Sequence, residues 1–517
     1  MTEPSNTAAA PAPVSADPKT SRPGLRLAGW VMSLLVSALI VLWQADFHFN
    51  LPPQREGETI TASSGLLPDL RFFFYFYYHL GLFPVGALEV PRLGSSREAA
   101  LDFVASNGRK LRMDFGEPTN TPRFGDYGKL FTLWPDAILS GDTARPTART
   151  FNAVVFIGAL LAAWWAFWRE RRALLGAMIV LLVGSNPFQL YETYGRGNIF
   201  SLPISVALLA LAAHLPYLTG RRSLDRRAWI TALVSGVALA TVREIRTEPA
   251  LIAAAAIATY LSTRATWPRR LALVLVFCAA WGVTSNAWSA YWSRGFDRAA
   301  RFVEKAGGVV FAGQHSLNHE IWHAVYCGLG DFGRNRGFDW DDTVAFKWAT
   351  TKDPATNPKP LPYTYRPGEY YFDETWDGVN RIAPTDLPAY NHLVRDRVFS
   401  VLRADPLWYA GVLLKRAGAI LGHATPAAFT IGVVRWRVPG VGWLLLPILA
   451  LVALMRRAFE TKLILFTLPL AATAMLVYSG GGTTNYGIAH LLALAVALDL
   501  LVRAARVRMG DGREHGR

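Results

Sequence analysis

The chain has 517 residues, 52% of them hydrophobic and only 18% charged, with a mean hydropathy of +0.21. That is too apolar for an ordinary soluble domain, and the apolar residues sit in charge-free runs such as Leu271–Ser293 and Val438–Met455, about the 18 or more residues a helix needs to cross a bilayer. The net charge of +15 would suit nucleic acid in a soluble protein, but here Lys and Arg gather at the ends of the apolar runs, where they act as topology signals. An all-α, polytopic transmembrane helical bundle is expected, with no nucleic acid as partner. The two cysteines, Cys278 in an apolar run and Cys327 in a polar one, indicate neither a disulfide framework nor a thiolate zinc site.

In chain order, residues 1–26 are rich in Ala, Pro, Ser and Thr, cannot bury a core, and end in Lys19, Arg22 and Arg26; a disordered cytoplasmic tail is expected. The stretch after it lacks a small-x-small cleavage pattern and reads as a retained first span, 27–44. Residues 45–150 form a first extracytoplasmic loop, whose aromatic segments Leu66–Val90 and Lys129–Leu139 read as interfacial or re-entrant helices, or as one more pair of crossings. Further spans are expected at about 151–168, 173–189, 199–218, 228–242, 249–263 and 271–293, a bundle over 151–293. Residues 294–437 form the second extracytoplasmic segment, in which Leu407–Gly422 carries Lys415 and Arg416 mid-run and reads as an interfacial helix. Spans at 438–455, 463–479 and 487–503 follow, within a C-terminal transmembrane region 438–503, then a cytoplasmic tail 504–517.

Ten crossings put both termini on one side. The arginine clusters at 169–172, 221–227, 264–270, 456–457 and 503–508 all fall on that side, which the positive-inside rule makes cytoplasmic. The expected location is the bacterial inner membrane, multi-pass, with both termini cytoplasmic.

Several stretches could carry chemistry. Asp46 is the first acid after span one; a carboxylate held at the membrane face can act as general base for an acceptor hydroxyl, unless it is only a solvated helix end. Asp126 lies between Gly125 and Gly128 in Arg123–Lys129, where glycines allow close approach of backbone to a ligand; it is a second candidate acid or metal ligand. No cofactor is certain from the sequence, and a divalent metal stays open.

Arg243-Glu244-Ile245-Arg246-Thr247-Glu248 places four charges between two short spans, where charge is expensive. Arg243 and Arg246 could grip a phosphate with Glu248 orienting them; the alternative is internal Arg–Glu pairing that holds two helices. The Gly184–Glu192 loop could line the same cavity.

His319-Glu320-x-x-His323 has the zinc-protease spacing, and Asp331 follows after Gly328 and Gly330. No second motif supplies a third ligand, so a histidine cluster that orients substrate is preferred to a metal site. A translocation path through the Arg243–Glu248 cluster, as in a transporter or flippase, is the non-enzymatic alternative.

A first span followed at once by an acid and a long outer loop, many spans with short connections, and a late extracytoplasmic segment together resemble membrane glycosyltransferases of the GT-C superfamily. Tyr78–Pro84, Gly184–Leu190, Arg246–Pro249 and Trp322–Asp331 also resemble bacterial polytopic proteins of undefined activity. The GT-C resemblance implies a polyprenyl-phosphate-linked sugar donor, itself a membrane lipid, and an envelope glycan, lipid or protein as acceptor. It puts the acceptor base on Asp46, although Asp46 lacks the usual acidic neighbour, and Asp126 is its rival. In this scheme Arg243 and Arg246 hold the donor phosphate and His319, His323 and Asp331 orient the acceptor.

Overall fold

The computed structural model describes residues 23–50, 74, 77–78, 81, 83, 86–87, 128–141, 147–195, 201–222, 224–305, 309–310, 321–332, 336–339, 342–353, 388–422, 425–431, 434–476 and 483–514. The N-terminal tail, Asp126, His319, Glu320 and most of the proline-rich stretch 353–388 lie outside these residues.

The protein is an all-α membrane protein with two small two-stranded sheets. Helix α1 (Pro23–Asn50) is followed by α2 (Trp134–Ser140), α3 (Arg149–Arg169), α4 (Ala173–Gly184), α5 (Leu202–Leu218), α6 (Arg226–Arg243), α7 (Ile252–Leu261) and α8 (Trp267–Lys305). Then come α9 (Trp322–Gly328), α10 (Asp342–Lys352), α11 (Pro388–Ala404), α12 (Pro406–Gly422), α13 (Leu445–Leu454), α14 (Ala458–Thr467), α15 (Ala472–Leu476) and α16 (Thr483–Glu514).

Among the described residues, four helices are long and apolar enough to cross a membrane: Leu27–Asn50, Arg149–Arg169, Trp267–Phe302 and Gly487–Arg506. A fifth is gained if Ala173–Gly184 and Pro187–Tyr194, bent by 58°, count as one span. The apolar runs near 199–218, 249–263 and 438–455 form shorter helices, so the count of about ten is not reached on length and composition. Two of the differences have local causes. Asn186 caps the turn after α4 by accepting from the amides of Phe188 and Gln189 at 3.1 Å, with Pro187 at the first helical position, and this starts a new helix direction inside the run. The run at 438–455 begins as a strand: β3 (Ala427–Ile431) pairs antiparallel with β4 (Val434–Val438), and helix α13 starts only at Leu445.

Packing in lipid depends on close contact more than on hydrophobic drive, so small residues matter at helix interfaces. α6 and α8 meet at Gly236, where a Cβ would stand 2.6 Å from the Phe277 carbonyl oxygen. α1 lies against α3, with Trp30 edge-on to Trp168 at 4.9 Å, while Leu27, Met32, Leu39 and Leu42 face outward.

Helix α8 has 39 residues, roughly 58 Å at 1.5 Å per residue and about twice a hydrocarbon core. The hydropathy boundary at 293 marks the first of the charges Arg294, Asp297 and Arg298, not the end of the helix. The extension brings β2 (Val309–Val310) into antiparallel pairing with β1 (Gly86–Ala87), joining the segments that precede and follow the 151–293 bundle.

A second core holds a lobe built from α9, α10 and α11: Tyr326, Leu329, Phe338, Phe346, Tyr390, Val394 and Val398 are buried together. Burial pushes the Tyr326 phenol up to about 12. Asp405, between α11 and α12, accepts from the Trp408 amide at 2.9 Å and from Arg336 at 2.5 Å. These bonds, the amide first, hold its carboxyl below the usual range. The segment expected to be interfacial is indeed a helix, α12; Lys415 is exposed, but Arg416 is wholly buried.

Candidate functional site

The C-terminal end of α1 meets three other elements. Gln44, fully buried, donates to the Gly184 carbonyl at 2.9 Å and accepts from Tyr194 Oη at 2.9 Å, which ties α1 to the bend after α4. One turn on, the His48 ring lies 5.7 Å from that of Tyr194, and its carbonyl accepts from Arg149 at the start of α3. Asp136, in the first turn of α2, accepts from the Thr147 amide at 2.7 Å and from the hydroxyls of Thr147 and Thr150 at 3.2 and 3.0 Å. The charges of Asp136 and Arg149 both act on His48. Asp46, two residues before His48 and therefore on the opposite face of α1, is exposed and bonded to Asn50 one turn later.

An imidazole, a guanidinium and a carboxylate, from His48, Arg149 and Asp136, therefore meet at one helix end, with the exposed Asp46 carboxylate on the other side of the same helix end. Asp46 makes no ion pair among the described residues, while Asp136 is occupied in holding the start of α3. His48 Nδ1 is buried with no hydrogen-bond partner among the described residues. Sequence reasoning missed His48, Asp136 and Arg149. Arg149 opens an apolar run and read as a flanking charge, and the three are brought together by contacts across about 100 residues of chain.

The Arg243–Glu248 turn lies between α6 and α7. Arg246 is paired with Glu248, their side chains 13% and 19% exposed, so internal pairing is present as the alternative reading required. Glu244 accepts from Trp292 Nε1 at 2.9 Å, and its carbonyl accepts from the Gly128 amide at 2.6 Å. A Cβ on Gly128 would stand 2.7 Å from the Glu244 carbonyl carbon, so this glycine serves a close approach to the chain itself and not to a ligand. Arg243 is half-buried at the end of α6.

In the lobe, His323 Nδ1 is 2.6 Å from Tyr390 Oη, its Nε2 is 3.8 Å from Cys327 Sγ, and its ring stacks on Phe346. Both ring nitrogens thus face lobe residues. Asp331, expected to orient an acceptor, has a side chain only 1% exposed and is bound to Arg416 at 3.0 Å, which corrects that expectation: it has no surface to offer a substrate. Among the described residues no three His, Cys, Asp or Glu side chains are grouped to hold a metal, and nothing there supports the zinc-protease reading.

Fold and site together define a polytopic α-helical membrane protein with a polar cluster at the end of its first span. No protein-family model matches the chain, and no curated protein does. Two solved structures from Archaeoglobus fulgidus are similar to it. One is the archaeal oligosaccharyltransferase AglB in complex with an inhibitory peptide and a dolichol-phosphate, with a TM-score of 0.44; the other is the oligosaccharyltransferase in the apo form, with a TM-score of 0.45. Each is 12% identical, over 92% of this chain and 52% of that one, so the chain spans about half their length.

Proposed function

We propose that the protein is a glycosyltransferase of the inner membrane that moves a sugar from a polyprenyl-phosphate donor to an envelope glycan, lipid or protein at the outer face. The observation that carries this reading is the exposed Asp46 carboxylate at the end of the first span, the same helix end that Arg149 binds through the His48 carbonyl. Asp46 takes the proton of the acceptor hydroxyl as its oxygen attacks the anomeric carbon. The bond from that carbon to the phosphate oxygen breaks, and polyprenyl phosphate leaves with the electron pair. Arg243 is the guanidinium of its turn best placed to meet the phosphate, because Arg246 already holds Glu248. His323, and His319 beyond the described residues, are proposed to shape the acceptor side through the lobe. Asp126, also outside the described residues, remains the rival base, and a divalent metal stays open.

Asp46→Asn is expected to lower sugar transfer by about 100-fold or more, the usual worth of a positioned base, with the melting temperature unchanged because the side chain is exposed. The readout is mass analysis of envelope glycans and polyprenyl-linked sugars in a deletion strain carrying the variant. Wild-type products from Asp46→Asn, with loss from Asp126→Asn, would move the base to Asp126; normal products in the deletion strain itself would end the reading.

The topology proposed with it has about ten crossings, both termini cytoplasmic and residues 294–406 outside. In a background lacking Cys278 and Cys327, a cysteine at position 376 should react with an impermeant maleimide from outside and one at position 225 should not. The reverse pattern would invert the scheme.

A further inference from the structure

Helix α8 turns most of its apolar surface outward: Leu271, Leu275 and Val283 are 43%, 60% and 71% exposed, which in a polytopic bundle is surface for lipid. At the end of this apolar stretch a cleft of about 440 Å³ opens, lined by Phe83, Ala287, Ala290, Tyr291, Arg294, Gly295 and Arg298. Ala287, Ala290, Tyr291, Arg294 and Arg298 fall at helical spacings of three and four, so they form one stripe that passes from small apolar side chains to two guanidinium groups. The hollow exists because the alanines are small and because residue 295 is glycine. A Cβ there would stand 1.9 Å from the Phe83 ring, which is seated against the helix as the cleft's floor.

The charges of this stripe are not balanced from within. Among the described residues Arg294 has no ion pair or hydrogen bond, and Arg298 donates only to the neutral Gly81 carbonyl, at 3.1 Å. Two guanidinium groups one turn apart, at the point where a lipid-facing helix leaves its apolar stretch, match a phosphate whose attached chain continues into the bilayer.

We propose that this cleft binds an anionic, phosphate-headed lipid, with its phosphate between Arg294 and Arg298 and the first part of its chain along Ala287 and Ala290. The site is separate from the cluster around Asp46 and does not depend on sugar transfer. A free phosphate would use the arginines but leave the apolar half of the stripe idle, so the lipid is the occupant that accounts for both halves.

The test uses the full-length protein in detergent, with undecaprenyl phosphate, phosphatidylglycerol, phosphatidylcholine and inorganic phosphate as probes, and retained lipid read by native mass spectrometry alongside melting temperature. Wild type should retain undecaprenyl phosphate or phosphatidylglycerol, and Arg294→Ala with Arg298→Ala should weaken that by about tenfold or more. Both side chains are exposed, so the melting temperature without lipid should not change. Ala290→Trp, which fills the apolar half and leaves the charges, should weaken lipid binding while sparing any response to inorganic phosphate. Equal retention by wild type and the arginine variants would overturn the proposal. So would equal binding of the zwitterionic phosphatidylcholine, or lipid binding left unchanged by Ala290→Trp.

Discussion

Arg416→Ala should be among the most damaging single changes available in this chain, costing about 3–5 kcal/mol of stability, because it breaks a buried ion pair and removes the donor to three helix-end carbonyls. The Arg416 side chain is 0% exposed and spends four donor contacts on three elements. Its Nε bonds Asp331 at 3.0 Å, Nη1 bonds the carbonyls of Met475 and Leu476 at 2.8 and 2.7 Å, and Nη2 bonds the Gly328 carbonyl at 2.5 Å. Gly328 ends α9, and Met475 and Leu476 end α15, so the guanidinium collects terminal carbonyls that have no intrahelical donor and carry the negative end of each helix. One side chain thereby fastens the lobe to the C-terminal helices. Arg416→Lys should recover only part of the loss, since an ammonium lacks the planar fork that reaches acceptors on opposite sides. Arg416→Met combined with Asp331→Leu removes both charges and should be more stable than Arg416→Met alone. Thermal unfolding of the detergent-solubilised protein checks all three. An Arg416→Ala protein that melts with wild type would show that the clasp holds nothing.

That clasp also marks where sequence reading stops. The mid-run position of Arg416 was legible as an anomaly and led to an interfacial helix; the helix is present, but the reason for its charge is an acid 85 residues away and two helix ends, none of them visible in a local window. The strongly apolar helices Leu27–Asn50, Arg149–Arg169 and Gly487–Arg506 were legible because hydropathy alone defines them. Breaks inside apolar runs were less so: a capped turn at Asn186 and a hairpin ending at Val438 interrupt stretches whose mean hydropathy stays high throughout. The opposite error occurred at 293, where charges end the apolar window but not the helix, since Arg and Asp at helical spacing continue it well.

For the candidate site, Asp46 could be picked out because it is the first acid after a span, whereas His48 and Arg149 gain significance only from meeting each other. The Arg243–Glu248 cluster stands out in the sequence as charge that must be satisfied. The sequence could not say whether by ligand or by its own glutamates, and the Arg246–Glu248 pair supplies part of that answer.

The same region carries the second large effect, at Trp292. This residue is 1% exposed and is the largest of the fully buried side chains. Its ring packs on Trp288 at 5.5 Å, Phe131 at 5.6 Å and Phe83 at 5.7 Å, while Nε1 donates to the Glu244 carboxylate at 2.9 Å. It is thus the common seat for two pieces of the first outer segment and for the charged turn after α6. Trp292→Ala should cost about 3–5 kcal/mol, from the cavity left among three aromatic rings and from the lost bond to a charged acceptor. Trp292→Phe separates the two parts: a ring remains to pack, but the N–H is gone, so the loss should be nearer the 1.5–3 kcal/mol, roughly, of a hydrogen bond to a charged group. The functional consequence is specific. Phe131 and Trp134 belong to the stretch that continues through Asp136 to Arg149, so loosening the seat should disturb the polar cluster at the end of α1 without touching it. Trp292→Ala should therefore lose sugar transfer in the folded fraction as well as stability, whereas Trp292→Phe should lose mainly stability. Unfolding temperature and product formation, measured on the same preparations, decide between these. If Trp292→Ala keeps wild-type transfer per folded molecule, the first outer segment does not position the site.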